Sequence, residues 1–513
     1  MTDVLPDLAP RPVAVPSGGI EDSLRSPASF FAWLAFLTVA TIAMFPLPVP
    51  SWSEHFYLIT PLHVLDRGFL ARDWTVANEY RTHLGFTYLA AGLIKLFGLQ
   101  GAGWIGRVLT AVLVQSGLLR LGARLGVSYG LTTAVILLWL ACGQSLFGGD
   151  WMLRTFEGKT VAYGLLLWSM DRLCGMRWAL AGVLAGLAFT LNPDVGLISG
   201  TGLLAAALML KGNRQQWIAL VACGLAFSLP GLAGASGAAL GGPTTASDWN
   251  LFCIAYRSNV DPTSFGASRL LLGATMTAFC VLHLLGPSLQ RESRAWVAFV
   301  LGLGIPTVAG LGAWAAHSCE WLRFLPFRAF PLILPLVFLL LVARKDFLGW
   351  GGALGRGATV LVLFSLMALP DPAATLMRQL RDDAKEWTRD GDYDRALMWI
   401  RDSVPASALL AVPPNHFDTH TLSRHAVVAL FSAPRYDMIH EWRERIESMT
   451  GPIEDHDDVP ELQARFENLP LASVQRLGRD YGVNYIVTAG TYQELQAVHR
   501  NGKVTVYQLS TPP

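Results

Sequence analysis

Charge is what this sequence most conspicuously lacks: 15% of its residues are Asp, Glu, Lys or Arg, where a soluble globular chain carries about 25%. The net charge is +1 and no Lys/Arg tract interleaves with aromatics, so the electrostatic footprint of a nucleic-acid binder is missing. Six cysteines, at 142, 174, 223, 253, 280 and 319, form no CxxC pair, which argues against a zinc ribbon and against a disulfide framework. There is no GxxxxGK[ST], HExxH or GxSxG. The Gly-rich stretch 231–242 lacks the strand and helix context of a dinucleotide site.

What is abundant is apolar sequence, at 52% of the residues. Stretches such as 29–47, 129–147 and 295–316 reach the roughly 17–25 residues that a helix needs to cross a bilayer. Lys and Arg near helix ends are retained on the cytoplasmic side during insertion, and one assignment makes every inside turn basic. It has helices near 29–47, 104–120, 129–147, 159–173, 177–191, 195–210, 216–233, 267–287, 295–316, 328–343 and 356–370. Its inside turns carry Arg120 and Arg124, Arg172 and Arg177, Lys211 and Arg214, Arg291 and Arg294, then Arg344 and Lys345. The apolar segment 84–98 carries Lys95 and is short, so it is read as an interfacial or re-entrant helix within a long first outer loop, 48–103.

Three parts follow from this count. Residues 1–28, rich in Pro and Ser, read as a disordered cytoplasmic tail. Residues 29–372 form a transmembrane core of about 11 helices. Residues 373–513 regain a soluble composition and read as an extracytoplasmic α/β domain. Its strand-like runs lie at 408–414, 425–431, 483–489 and 503–509, and helical patterns lie around 436–449 and 471–481. The multi-pass chain sits in a bacterial inner membrane with its N-terminus inside. Cys253 and Cys319 both fall in outer loops, and the sequence leaves open whether they pair.

The polar residues gather in the outer loops. The first holds Glu54 and His55 just beyond helix one, Asp73 in an RDW triplet, and His83. The second, 148–160, holds Asp150, Arg154 and Glu157, which share one face if that segment is helical, with Lys159 at the next helix mouth. Asp194 lies in a TLNPDVG turn that Pro193 alone accounts for. His317, Glu320, Arg323 and Arg328 alternate with aromatics at 317–328. Each has a plain reading as interface or loop polarity. The functional reading makes a first-loop carboxylate a general base and Arg154, Lys159, Arg323 and Arg328 holders of a lipid phosphate. The acids at 454–458 read as a solvated loop, and the histidines of HFDTHTLSRH (416–425) as surface residues, so no metal ligand is assigned.

This layout resembles the GT-C superfamily of polytopic glycosyltransferases, which take sugars from polyprenyl-phosphate donors on the outer face. One helix, a long first outer loop with acids near its start (SWSEHFYL and RDW), and an interfacial segment from His83 through Phe86 to LFG at 96–98 carry the resemblance. A helix then opens at Arg107 and ends at Arg120 and Arg124. The resemblance implies a sugar transferase acting on a polyprenyl-phosphate lipid. Glu54 or Asp73 would be the base, Arg154, Lys159, Arg323 and Arg328 the phosphate ligands, and His55, His83, Asp150, Glu157, Asp194, His317 and Glu320 substrate contacts. Many relatives show two adjacent acids after helix one, whereas here Glu54 is followed by His55; that departure leaves the base and any divalent metal open. A transporter of an envelope precursor and a non-catalytic assembly protein are the alternatives.

Overall fold

A computed structural model of the protein describes residues 26–51, 53–78, 83–145, 151–239, 245–284, 291–343, 371–388, 391–454 and 457–509. Among these, six helices are long and apolar enough to cross a membrane. The expected helix at 356–370, the pair Arg344 and Lys345, and Asp150 lie outside the described residues.

Helix α1 (Pro27–Met44) opens on Ser26, whose hydroxyl accepts from the Ser29 amide, a standard N-cap. After it the chain turns back as α2 (Glu54–Leu65), a segment expected to be loop. Helix α3 (Leu84–Arg124) contains a break at Gly98, φ +72°, a backbone state that only glycine adopts without strain. The break separates the segment read as interfacial from the one read as spanning. Helix α4 (Tyr129–Ala141) stops short of residue 147 because Gly143 and Gln144 both take positive φ. Helices α5 (Gly158–Cys174), α6 (Trp178–Leu191), α7 (Pro193–Leu210) and α8 (Arg214–Ala239) follow. Then come α9 (Asn250–Ala255), α10 (Ala267–Leu284), α11 (Arg291–Ala315) and α12 (Phe330–Leu341). Small residues let these helices approach closely: a Cβ on Gly182 would fall 2.3 Å from the Leu220 carbonyl oxygen.

The chain then enters α13 (Pro372–Thr388) and α14 (Asp392–Ser403) and a five-stranded sheet. Strands β1 (Leu409–Ala411), β2 (Ala426–Val427), β3 (Tyr485–Thr488), β4 (Gln496–Asn501) and β5 (Val504–Gln508) are ordered β2-β1-β3-β5-β4. β1 lies parallel to β2 and β3, and β5 runs antiparallel to β3 and β4. The strand at 496–501 was missed because its burial does not alternate. Its signal is the two-residue loop Gly502-Lys503 between Asn501 and Val504, with Gly502 at φ +56° in the first central position of a hairpin turn.

One ion pair ties the entrance of the helical core together. Arg107, in the second half of α3, donates Nε to Glu54 Oε1 at 2.8 Å and Nη2 to Oε2 at 2.6 Å. The same guanidinium reaches the carbonyls of Leu47 (2.6 Å) and Pro48 (2.8 Å). Glu54 in turn accepts from the amides of Ser51 and Phe156. Phe156 lies flat where a Cβ on Gly106 would fall 2.2 Å from its ring. Both charged side chains are buried, and a buried charge stripped of its partner is strongly destabilising. Glu54→Gln should therefore cost about 3–5 kcal/mol and lower the thermal midpoint in detergent. Replacing both Glu54 and Arg107 by apolar residues should cost less than the single change, and the three midpoints check this directly.

Candidate functional site

Between the helical core and the C-terminal sheet domain lies a cavity of about 370 Å³, within the ordinary range for a ligand site. Its ionisable lining is His83, Glu157, Lys159, Asp194, Arg323 and Arg328; Tyr57, Trp151 and Tyr256 add aromatic walls, and Phe417 and Phe431 close it from the sheet domain.

The segment 151–157 supplies one wall, and a single amide side chain shapes it. Gln144 accepts from the amides of Met152 and Leu153 through Oε1 and donates Nε2 to the Leu153 carbonyl at 2.6 Å. So held, the segment 151–157 is not helical, and Arg154 and Glu157 do not share the helix face expected of them. Trp151 donates Nε1 to the Thr155 hydroxyl and carries Lys159 Nζ over its ring at 4.7 Å, a cation–π contact. Glu157 Oε1 accepts from the hydroxyls of Ser53 (2.7 Å) and Thr155 (2.6 Å), and Oε2 lies 3.1 Å from Lys159 Nζ. Gly158 has to be glycine: a Cβ there would meet the Leu191 carbonyl oxygen at 2.6 Å.

Opposite stands the start of α7. Asn192 caps it by accepting from the Val195 amide, Pro193 takes the first helical position, and Asp194 sits in the first turn, where the helix dipole favours a carboxylate. Arg328 donates Nη1 to Asp194 Oδ2 at 3.1 Å. Its backbone oxygen accepts from Tyr163, which fixes the turn Pro326–Ala329 against α5. Arg323 stacks its guanidinium over Trp249 (4.8 Å) and Phe324 (5.0 Å). A disulfide, Cys253–Cys319, with Cα atoms 5.9 Å apart, joins α9 to the turn Cys319–Leu322 just before Arg323. His83, beside Tyr57, is held neutral at ordinary pH: burial, then the charges of Arg328 and Lys159, pull its pKa down to about 4. The positive charge on the cavity wall is thus carried by Lys159, Arg323 and Arg328.

Six expected residues therefore meet: His83, Glu157, Lys159, Asp194, Arg323 and Arg328. Others do not reach the cavity. Glu54 faces Arg107, its oxygens already taken by two backbone amides and the guanidinium. Asp73 caps the turn Trp74–Ala77 through the Val76 amide and accepts from the Val427 amide (2.8 Å) and His420 Nε2 (2.7 Å). It latches the first loop to the sheet domain. Arg72 joins that latch through the Ser407 and Gly482 carbonyls. His55 lies against the Thr421 hydroxyl, and Arg154 pairs with Asp383 of α13. His317 and Glu320 are exposed away from the cavity. Tyr57, Trp151 and the roof phenylalanines are not among the expected site residues; nothing in their local pattern separates them from interface aromatics.

No family model matches the chain, and no curated protein matches it. Among solved structures it is similar to the crystal structure of ArnT from Cupriavidus metallidurans in the apo state. The two are 15% identical over 95% of this chain and 99% of that one, with a TM-score of 0.45. It is also similar to ArnT from the same organism bound to undecaprenyl phosphate, at 15% identity over 94% and 98% with a TM-score of 0.37. These are likenesses of layout and bring no chemistry across.

The latch makes a pH prediction. Burial by itself would raise the Asp73 carboxyl, but His420 and the Val427 and Val76 amides outweigh it and hold it below the ordinary 3.8. A depressed carboxylate contributes stability above its unfolded pKa of about 3.9 and loses it as pH falls through the folded value. Protection of the loop 66–78 and the sheet domain from limited proteolysis should stay level from pH 8 to 5 and drop below about pH 4. Asp73→Ala should be clipped readily at every pH.

Proposed function

We propose that the protein is a GT-C-like membrane glycosyltransferase that moves a sugar from a polyprenyl-phosphate donor to an acceptor at the outer face of the inner membrane. One observation carries the reading: two carboxylates and three cations, each braced by an aromatic ring or an ion pair, converge on one cavity between an apolar helical core and a soluble-type domain. Cations so placed suit a departing lipid phosphate, because Arg offers it a bidentate fork and Lys a point charge.

Sidedness is supported by two features. The Cys253–Cys319 bridge beside the cavity fits an oxidising compartment. Arg120, Arg124 and Arg172 cluster around Asp171, about 18 Å along α5 from Lys159 at 1.5 Å per residue; the basic turns therefore lie at the far end of the bundle. On this reading residues 373–513 are an extracytoplasmic domain that roofs the site.

The base falls to a cavity carboxylate in place of Glu54 or Asp73. Glu157, with 1% of its side chain exposed, orients Lys159 and Ser53. Asp194, with 10% exposed, is the carboxylate an acceptor hydroxyl can approach, and it takes that proton as the acceptor attacks the anomeric carbon in an inverting displacement. Lys159, Arg323 and Arg328 neutralise the lipid phosphate that leaves. Each cavity carboxylate already has a cation 3.1 Å away, a charge arrangement that does not fit a divalent metal, and no step here runs through one.

Transfer from a labelled polyprenyl-phosphate sugar by the purified full chain tests the assignment. Asp194→Asn should lower kcat about 10²–10⁴-fold with KM for the donor little changed, whereas Lys159→Ala and Arg328→Ala should also raise KM for the donor. Undiminished transfer by Asp194→Asn ends the base assignment. Uptake of the sugar lipid into proteoliposomes without any transfer would instead favour a transporter.

A further inference from the structure

At the end of the bundle away from the cavity, three arginines surround one buried acid. Asp171, on the last turn of α5 and fully buried, accepts from Arg124 Nε at 2.6 Å and from Arg120 Nε at 3.1 Å. Arg172 Nε stands 3.7 Å away. Arg124 also reaches Glu292, at the start of α11, at 3.5 Å. Three guanidiniums thus face two carboxylates, leaving one positive charge in excess. The Arg120 and Arg172 guanidiniums both lie on the indole of Trp168, at 5.1 and 4.9 Å from the ring centre. That indole is itself pinned by Nε1 to the Leu113 carbonyl and the Ser116 hydroxyl.

What this arrangement leaves unused matters. Arg120 meets Asp171 through Nε, so its two terminal nitrogens have no hydrogen-bond partner among the described residues, and neither do those of Arg172. Both side chains are partly exposed, 38% and 21%. A guanidinium clamped by a buried carboxylate and an indole loses little freedom on binding an anion, and its planar fork matches two phosphate oxygens. In the turn and helix that follow Arg172, Met176 and Leu180 expose 44% and 39% of their surface, an apolar footing for acyl chains. The site lies where α5 and the second half of α3 end, which on the proposed topology is the depth of cytoplasmic headgroups.

We propose that Arg120 and Arg172, braced on Trp168 and Asp171, form a binding site for the phosphate of an anionic phospholipid, separate from the cavity. It is not a catalytic site, and it stands whether or not the cavity transfers sugars.

The test titrates dioctanoyl phosphatidylglycerol into the purified full chain in detergent and reads the apparent affinity from the rise in thermal midpoint. Dioctanoyl phosphatidylcholine and inorganic phosphate are the comparison arms. The glycerol lipid should bind to the wild type. The Arg120→Gln, Arg172→Gln double variant should bind about twenty-five-fold more weakly, at about fivefold for each guanidinium lost near anionic headgroups. The choline lipid and free phosphate should each give little or no rise. Equal affinity in wild type and variant overturns the proposal; so does an equal response to the choline lipid, which would mean that charge is not read. Saturation by free phosphate at the same concentrations would replace the lipid with a soluble anion. Should the Gln pair yield no folded protein, Arg120→Lys with Arg172→Lys keeps the charge and removes the fork. Severalfold weaker binding is then expected, and unchanged binding overturns the site.

Discussion

The rest of the structure depends on a carboxylate that the solvent never sees. Glu54 and Arg107 are 53 residues apart, and together they join four pieces of chain: the end of α1 through two carbonyls, the start of α2, the second half of α3, and the Phe156 amide. Isolated, either charge would be too costly to bury. Paired and hydrogen-bonded on nearly every valence, the two set the positions of the segments around them. Because Phe156 is fixed to Glu54 and stacked on Gly106, the next residue, Glu157, can only point toward Ser53 and Lys159. The cavity's acid wall is placed by a charge pair that takes no part in the cavity.

The opposite wall is fixed by independent means. Asn192 and Pro193 start α7 so that Asp194 sits at its dipole end, while the Tyr163–Arg328 bond and the Cys253–Cys319 bridge set the two arginines. The roof comes last: Asp73, Arg72 and the Arg435–Asn78 backbone bond hold the sheet domain to the first loop, and Arg445 adds its stack on Trp74 and Tyr481. The helix start and the turn are thus braced by neighbours that do not line the cavity, Asn192 and Tyr163, while at the helix mouth Glu157 and Trp151, themselves in the lining, hold Lys159, as preorganisation requires.

How much of this was legible follows from range. Apolar runs marked most helices to within a few residues, because hydrophobic length is a local property, and the runs around β1, β3 and β5 stood out by composition. The basic turns were readable for the same reason. The surroundings of Glu54 are not legible, because the sequence shows where a carboxylate sits along the chain and is silent on what it faces; its partners lie 53 and 102 residues on. Asp73 has the same history, with its partner His420 at a separation of 347, inside a histidine run that read as mere surface. His83, Glu157, Lys159, Asp194, Arg323 and Arg328 were each visible as polar groups at loop edges, yet no local pattern joins them. Gln144, which shapes the segment carrying Trp151 and Glu157, has no signal at all: a lone Gln near a helix end looks like any other.

Charge sorting along α5 binds these observations to one another. Its first turn places Lys159 against Glu157, and its last places Asp171 among arginines, so the same helix ends in a cation held by an acid and an acid held by cations. A helix dipole favours acids at its start and cations at its end; Glu157 and Arg172 obey that preference, while Lys159 and Asp171 run against it. A residue that opposes the dipole persists only where a partner outweighs it, and both do have partners: Glu157 and the Trp151 ring for Lys159, three guanidiniums for Asp171. The two inversions lie at the two ends where the chain gathers its polar groups, one facing the cavity and one facing the basic turns. Local helix energetics would not have selected either residue, which makes them the positions on α5 where the demands of a site override those of the fold.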